Sequence, residues 1–124
     1  MSDKLKKILI IEDDEQIARV YALKFSQEGI EAVMAKSGDE GLQKILSEKP
    51  NLVLLDLMLP KEDGFWILGE LEKKSSVKIP IIVLSNLSQK LDEERATSLG
   101  AQYYMVKTDV SLQQVVDKVK QFLG

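Results

Sequence analysis

The chain contains neither cysteine nor histidine. Without thiols there are no disulfides, no thiolate nucleophile and no sulfur-ligated metal, which fits a reducing compartment. Without imidazole, serine–histidine hydrolysis, histidine–zinc sites and a histidine phosphodonor within this chain are excluded. A basic excess is also missing. Lysine and arginine number 17 against 20 acids, a net charge of −3, so no broad nucleic-acid footprint is expected. No apolar run approaches the roughly 20 residues that span a bilayer. The N-terminal stretch Met1-Ser2-Asp3-Lys4-Leu5-Lys6-Lys7 is basic but leads into only a short apolar run closed by acids, and so lacks the core of a signal peptide. No linker rich in Pro, Gly or Ser, no repeat and no low-complexity segment divides the chain. The expectation is a cytoplasmic protein with no membrane insertion.

What is present is a core. Hydrophobic residues make up 44% of 124 positions, enough for one ordinary domain. Apolar runs alternate with amphipathic stretches. Ile8–Ile11, Ile30–Ala35, Leu52–Asp56, Ile79–Leu84 and Tyr103–Val106 read as strands, the second of them weaker and near a sheet edge. Ile17, Val20, Tyr21 and Phe25 mark a first helix ended by Gly29. Leu42, Ile45 and Leu46 mark a second, stopped before Pro50, and Phe65, Leu68 and Leu71 a third after a loop over Pro60–Gly64. Leu91, Arg95, Ser98 and Leu99 mark a polar, thinly amphipathic fourth helix closed by Gly100. Leu112, Val115, Val116, Val119, Phe122 and Leu123 form the best helical stripe, with a capping box from Ser111 and Gln114. Strict strand–helix alternation predicts an α/β fold, with a parallel sheet covered on both faces.

Asp56 stands inside the otherwise apolar run Leu52–Leu59. Burying a charge unpaired in such a layer costs several kcal/mol or more, so Asp56 is expected at the strand's end, opening on a cleft that holds a cation. In parallel sheets ligands lie beyond the carboxyl ends of the strands, where strand order reverses. The strand ends carry Glu12-Asp13-Asp14, Asp56, Ser85-Asn86 and Lys107. Clustered carboxylates repel unless a cation neutralises them, and an all-oxygen donor set fits a hard ion, Mg2+ or Mn2+. An aspartate beside such an ion can attack phosphorus, with a lysine and a hydroxyl for the remaining phosphoryl oxygens. Asp14 needs no role beyond capping the first helix.

These residues resemble the receiver domain of two-component response regulators over essentially the whole chain. The resemblance is carried by Ile10-Ile11-Glu12-Asp13-Asp14, Leu54-Leu55-Asp56-Leu57-Met58-Leu59-Pro60 with Asp63-Gly64, Ile81-Ile82-Val83-Leu84-Ser85, and Gly100-Ala101 with Tyr104 and Lys107. It implies a flavodoxin-like (βα)5 three-layer sandwich with sheet order 2-1-3-4-5. It implies a single receiver over residues 1–124 with no output domain, either stand-alone or part of a longer protein. Asp56 would accept a phosphoryl group from a histidine kinase or histidine phosphotransfer protein. Asp13, Asp56 and the main-chain carbonyl of Met58 would bind the metal, with Glu12 acting through metal-bound water. Ser85 and Lys107 would hold the phosphoryl group, and Tyr104 would swing inward as Ser85 moves. Met58 and Leu87 would flank the water that removes the phosphate. The output surface would be the fourth helix, fifth strand and fifth helix, on a monomer or a phosphorylation-linked dimer. The chain would catalyse only its own phosphotransfer and autodephosphorylation.

Departures from the family pattern are Thr108, where proline is usual, and Asn86, where a small residue is common. A cis bond before a non-proline residue costs about 3–4 kcal/mol, so a trans Lys107–Thr108 bond and a rearranged loop are expected. Asn86 is expected to narrow access to Asp56. Trp66 is expected to face outward over lysine stems, with a partner contact as the sharper alternative. Two other functions compete: a receiver-like scaffold that is never phosphorylated, and a phosphatase with an aspartate nucleophile. The intact acidic set with Ser85 and Lys107 argues against the first. Met58, at the position where such phosphatases carry a second acid, argues against the other.

Overall fold

The computed structural model describes residues 6–74 and 76–124. Residues 1–5, which carry most of the basic N-terminal stretch, lie outside the described residues, as does Ser75. The elements are β1 (Lys7–Ile11), α1 (Glu15–Gln27), β2 (Glu31–Ala35), α2 (Gly38–Glu48), β3 (Leu52–Leu55), α3 (Gly64–Glu72), β4 (Ile81–Ser85), α4 (Lys90–Ser98), β5 (Tyr103–Val106) and α5 (Leu112–Leu123). A short 3-10 turn, Lys107–Asp109, joins β5 to α5. The five strands pair in parallel, as strand–helix alternation predicts, in the order β2-β1-β3-β4-β5 that the resemblance implies.

Strand alternation sorts the core into two layers. Leu9, Ile11, Val53, Leu55, Ile81 and Val83 face α2, α3 and α4, meeting Ile45, Phe65, Leu68 and Ala96. Ile8, Ile10, Leu52, Leu54, Ile82 and Leu84 face α1 and α5, meeting Ala18, Phe25, Val115, Val116 and Val119. The central strands β3 and β4 are buried throughout, which is why they read as unbroken apolar runs. The edge strand β2 is only partly buried.

The starts of α1, α2, α3 and α5 follow the side chains that cap them. Asp14 Oδ1 accepts the N–H groups of Gln16 and Ile17 at 3.0 and 3.1 Å. Asp63 Oδ1 accepts that of Trp66 at 2.9 Å, opening α3. Ser111 and Gln114 form the predicted capping box of α5. Gly29, with φ of 80°, follows the last turn of α1 in the left-handed conformation that glycine adopts without strain.

Several details differ from the sequence reading. Val20 is 55% exposed, because it lies about 200° around the helix from Ala18, which with Tyr21, Ala22 and Phe25 faces the sheet. Leu46 and Leu91 are also exposed rather than inward. Gly64 belongs to α3, not to the loop before it. Ile79 and Pro80 precede β4, since proline has no N–H for the ladder, although its carbonyl accepts from Val53 N–H at 2.9 Å. Among the described residues no helix is long and apolar enough to cross a membrane.

Candidate functional site

The parallel register gathers the strand ends on one rim. Ile11 of β1 stands opposite Leu55 of β3, and Asp56 N–H donates to the Ile11 carbonyl at 3.0 Å. This sets Glu12 and Asp13 beside Asp56. From β1 the chain passes to β2 on one side, while β3 pairs on the other, so the acids sit where strand order reverses.

Glu12, Asp13 and Asp56 each present a carboxylate oxygen within 4.8 Å of the others. Asp56 is 5% exposed, buried but opening on the rim. Its Oδ1 accepts the Met58 N–H at 3.0 Å and its Oδ2 accepts Lys107 Nζ at 2.9 Å. Lys107 Nζ also donates to Glu12 Oε1, so one ammonium bridges both buried acids. Glu12 Oε2 accepts the Asp14 N–H at 3.1 Å. Asp13 is exposed at the mouth.

The charges are tuned by this packing. Burial raises the Glu12 carboxyl above the usual carboxylate range, against the lowering hydrogen bonds from Lys107 and Asp14 N–H, and the Asp56 charge adds to the rise. Burial alone would depress the Lys107 ammonium, but hydrogen bonds to Glu12 and Asp56, and their charges, outweigh it and raise its pKa. The donor set is wholly carboxylate oxygen, gathered within 4.8 Å, the kind of site a hard divalent ion occupies. The acids therefore fit a hard divalent cation.

Ser85 ends β4 fully buried, and its Oγ accepts the Leu87 N–H at 3.3 Å, closing the loop that follows. Tyr104 lies on the adjacent strand, half-buried, and its hydroxyl donates to the Leu87 carbonyl at 2.7 Å. Burial first, then the charges of Asp92, Glu93 and Asp56, push its phenol up to about 12. Tyr103 alternates to the α5 face, with its ring centroid 6.1 Å from that of Phe122. Met58 is exposed at the rim, and Leu87 packs half-buried against the α3-side core. The loop after Lys107 forms the 3-10 turn, and the described residues contain no cis peptide bond, as Thr108 predicts. Asn86, Lys107 and Thr108 share one groove with Ile17, Val20 and Leu112 of the flanking helices.

Trp66 departs from expectation. It is half-buried, packs against the α3-side core and lines an open cleft with Ser37, Asp39, Pro60, Lys61 and Glu62. Two features lie beyond sequence reasoning. The Glu12–Lys107 pairing spans 95 residues of sequence and has no local signal. Gly64 was visible only as part of the Asp63-Gly64 pair. A Cβ there would lie 2.7 Å from the Asp56 carbonyl oxygen and 2.7 Å from Leu57 Cα, so glycine lets α3 close under the acid.

Comparison with known proteins agrees with this geometry. The family profile described as "Response regulator receiver domain" matches residues 8–120. The "Probable transcriptional regulator ycf27" of Cyanophora paradoxa is 43% identical over 102 residues, 82% of this chain and 42% of that protein. The "Alkaline phosphatase synthesis transcriptional regulatory protein PhoP" of Bacillus subtilis is 35% identical over 118 residues, 95% of this chain and 48% of that protein. Among solved structures, a CheY-like response regulator receiver domain protein from Methanospirillum hungatei superposes with a TM-score of 0.89 at 30% identity, covering 97% of this chain and 94% of that one. The BeF3-activated N-terminal receiver domain of RstA from Klebsiella pneumoniae gives 0.87 at 29% identity, covering 95% and 98%. The chain spans less than half the length of the two regulators it matches in sequence.

Proposed function

We propose, since the chain belongs to the receiver domain family of two-component response regulators, that Asp56 is a phosphoacceptor and that its phosphorylation switches a protein-binding surface. The observation that carries this reading is the junction of Asp56 with Lys107 Nζ at 2.9 Å, beside the converging acids Glu12 and Asp13. In the proposed transfer an Asp56 carboxylate oxygen attacks the phosphorus of a phosphohistidine on a kinase or phosphotransfer protein. The new O–P bond forms as the P–N bond breaks, and the donor imidazole leaves neutral once it takes up a proton. Lys107, released from Asp56 Oδ2, ion-pairs with the phosphoryl oxygens, and Ser85 Oγ donates a hydrogen bond to one of them. The backbone N–H of Met58 holds the acceptor carboxylate in place.

Glu12, Asp13, Asp56 and the Met58 carbonyl would hold Mg2+ or Mn2+. That ion, when bound, supplies charge neutralisation for the phosphoryl oxygens. Hydrolysis of the aspartyl phosphate, with Met58 and Leu87 flanking the incoming water, resets the switch, and the chain acts on no separate substrate. Recruitment of Ser85 to the phosphoryl group would draw the Ser85–Leu87 loop inward and release the Leu87 carbonyl from Tyr104. The change is read on α4, β5 and α5 as a shift between pre-existing states.

Acetyl phosphate with magnesium, followed by intact-mass measurement, tests the reading. The wild type is expected to gain one phosphoryl group and Asp56→Asn none. A wild type that takes up no phosphate, or an Asp56→Asn chain that still does, would overturn it.

A further inference from the structure

Helix α4 is the least anchored helix of the fold. Ala96 is its one buried residue, and its N-cap Gln89 makes no side-chain capping bond. Its Leu91 is 74% exposed. Such an element opens at low free-energy cost, because little apolar surface holds it down. One specific contact ties it to the neighbouring helix. The Arg95 guanidinium carbon lies 4.0 Å from the centroid of the Phe65 ring, and Phe65 is itself buried. A cation over an aromatic face is attracted by the ring quadrupole, and arginine adds planar stacking.

Phe65 is placed by the acceptor segment. It follows Gly64, whose N–H donates to the Leu57 carbonyl at 3.1 Å and where an added Cβ would lie 2.7 Å from the Asp56 carbonyl oxygen. Phe65, Leu57, Leu59 and Ala96 belong to one apolar cluster. A displacement of the backbone at Asp56–Leu57 therefore moves the ring on which Arg95 sits. This route runs through Gly64 and Phe65 rather than through the Ser85–Leu87 hydrogen bond, although Leu87 and Tyr104 pack against the same cluster.

We propose that Arg95 is a positioning residue: its stacking on Phe65 clamps α4 to α3, and the clamp tightens or loosens with the position of the segment carrying Asp56. The coupling rests on the phosphoacceptor reading above; the clamp itself does not. Closely packed interfaces hold one arrangement or another rather than deforming continuously, so a small shift at Leu57 can change how often α4 is docked.

Amide hydrogen exchange on the full chain tests both halves, with and without beryllofluoride and magnesium. Without them, Arg95→Gln is expected to speed exchange across Lys90–Ser98 about 2- to 5-fold, the range for an exposed cation–π contact, and to leave α1 and α5 unchanged. Arg95→Lys should restore part of the protection. Lys118→Gln removes the matching contact, Lys118 Nζ 4.5 Å from the Tyr103 ring, and should leave α4 as it was. With beryllofluoride, α4 exchange should change in the wild type and change much less in Arg95→Gln. Unaltered α4 exchange in Arg95→Gln without the analogue would overturn the clamp. An equal beryllofluoride response in both chains would overturn the coupling. Failure of the wild type to bind beryllofluoride would instead refute the phosphoacceptor reading and the coupling together, and the clamp would stand or fall on the first comparison.

Discussion

Two alanine substitutions in α3 should have opposite signs. At Gly64 an added Cβ would lie 2.7 Å from the Asp56 carbonyl oxygen, 2.7 Å from Leu57 Cα and 2.8 Å from Leu57 Cδ2. Two of those atoms are backbone, so they cannot rotate away, and the first turn of α3 must lift from the end of β3. Overpacking of this kind costs typically about 1–3 kcal/mol. The helix-propensity gain of Gly→Ala, at most about 1 kcal/mol in a helix interior, is smaller at the helix's first residue. The net loss should be about 1–2 kcal/mol, which for a chain of this length lowers Tm by roughly 4–8 °C. Gly69, in the same helix, has nothing among the described residues within 4 Å of its Cβ position. There only the propensity term operates, and Gly69→Ala should gain about 0.5–1 kcal/mol, roughly 2–4 °C. Thermal unfolding followed by circular dichroism reads both. The two should also separate in phosphate uptake from acetyl phosphate. Gly64→Ala displaces the acceptor segment itself and should slow uptake at least about tenfold, whereas Gly69→Ala should not. Equal signs in Tm, or normal uptake by Gly64→Ala, would refute the claim that close approach at Gly64 sets the acceptor's position.

Other outcomes follow from the charges. Because the Lys107 pKa is raised in the folded chain, its contribution is fully present below the ordinary 10.5 and is lost as pH rises through the folded value. Lys107→Met should therefore cost about 1–3 kcal/mol near neutrality, with the gap to wild type closing above pH 10.5 in urea titrations. Glu12 has the opposite profile: a raised carboxylate favours the folded state below 4.5, and that advantage is lost as pH rises through the folded value. Glu12→Gln should flatten that fall in the same titrations; an unchanged slope would contradict the burial of its charge. Tyrosinate absorbance should show a phenol titrating near pH 12 that disappears in Tyr104→Phe. Asp13 is exposed, so Asp13→Asn should leave stability within about 0.5 kcal/mol yet weaken Mn2+ binding, read by electron paramagnetic resonance, about tenfold or more. Equal Mn2+ affinity in that variant would remove Asp13 from the ligand set.

The element types, their succession along the chain and the rim that carries the acids and Lys107 were all legible in the amino-acid order. Those follow from local signals: unbroken apolar runs for strands buried on both faces, capping residues such as Asp14 and Ser111, Gly29 past a helix end, and charges that buried strands tolerate only at their ends. It also foresaw a trans bond at Lys107–Thr108, because the cost of the alternative is a property of the peptide bond alone. What depends on neighbours distant in the chain emerged only from packing. Val20 and Leu91 face solvent because, among the described residues, no second layer covers their side of the helices. Gly64 matters because β3 ends beneath it, and Lys107 bridges Glu12 and Asp56 because parallel pairing brings their strand ends to one rim. Apolar periodicity says that a surface will be buried, but only the packed sheet says against what.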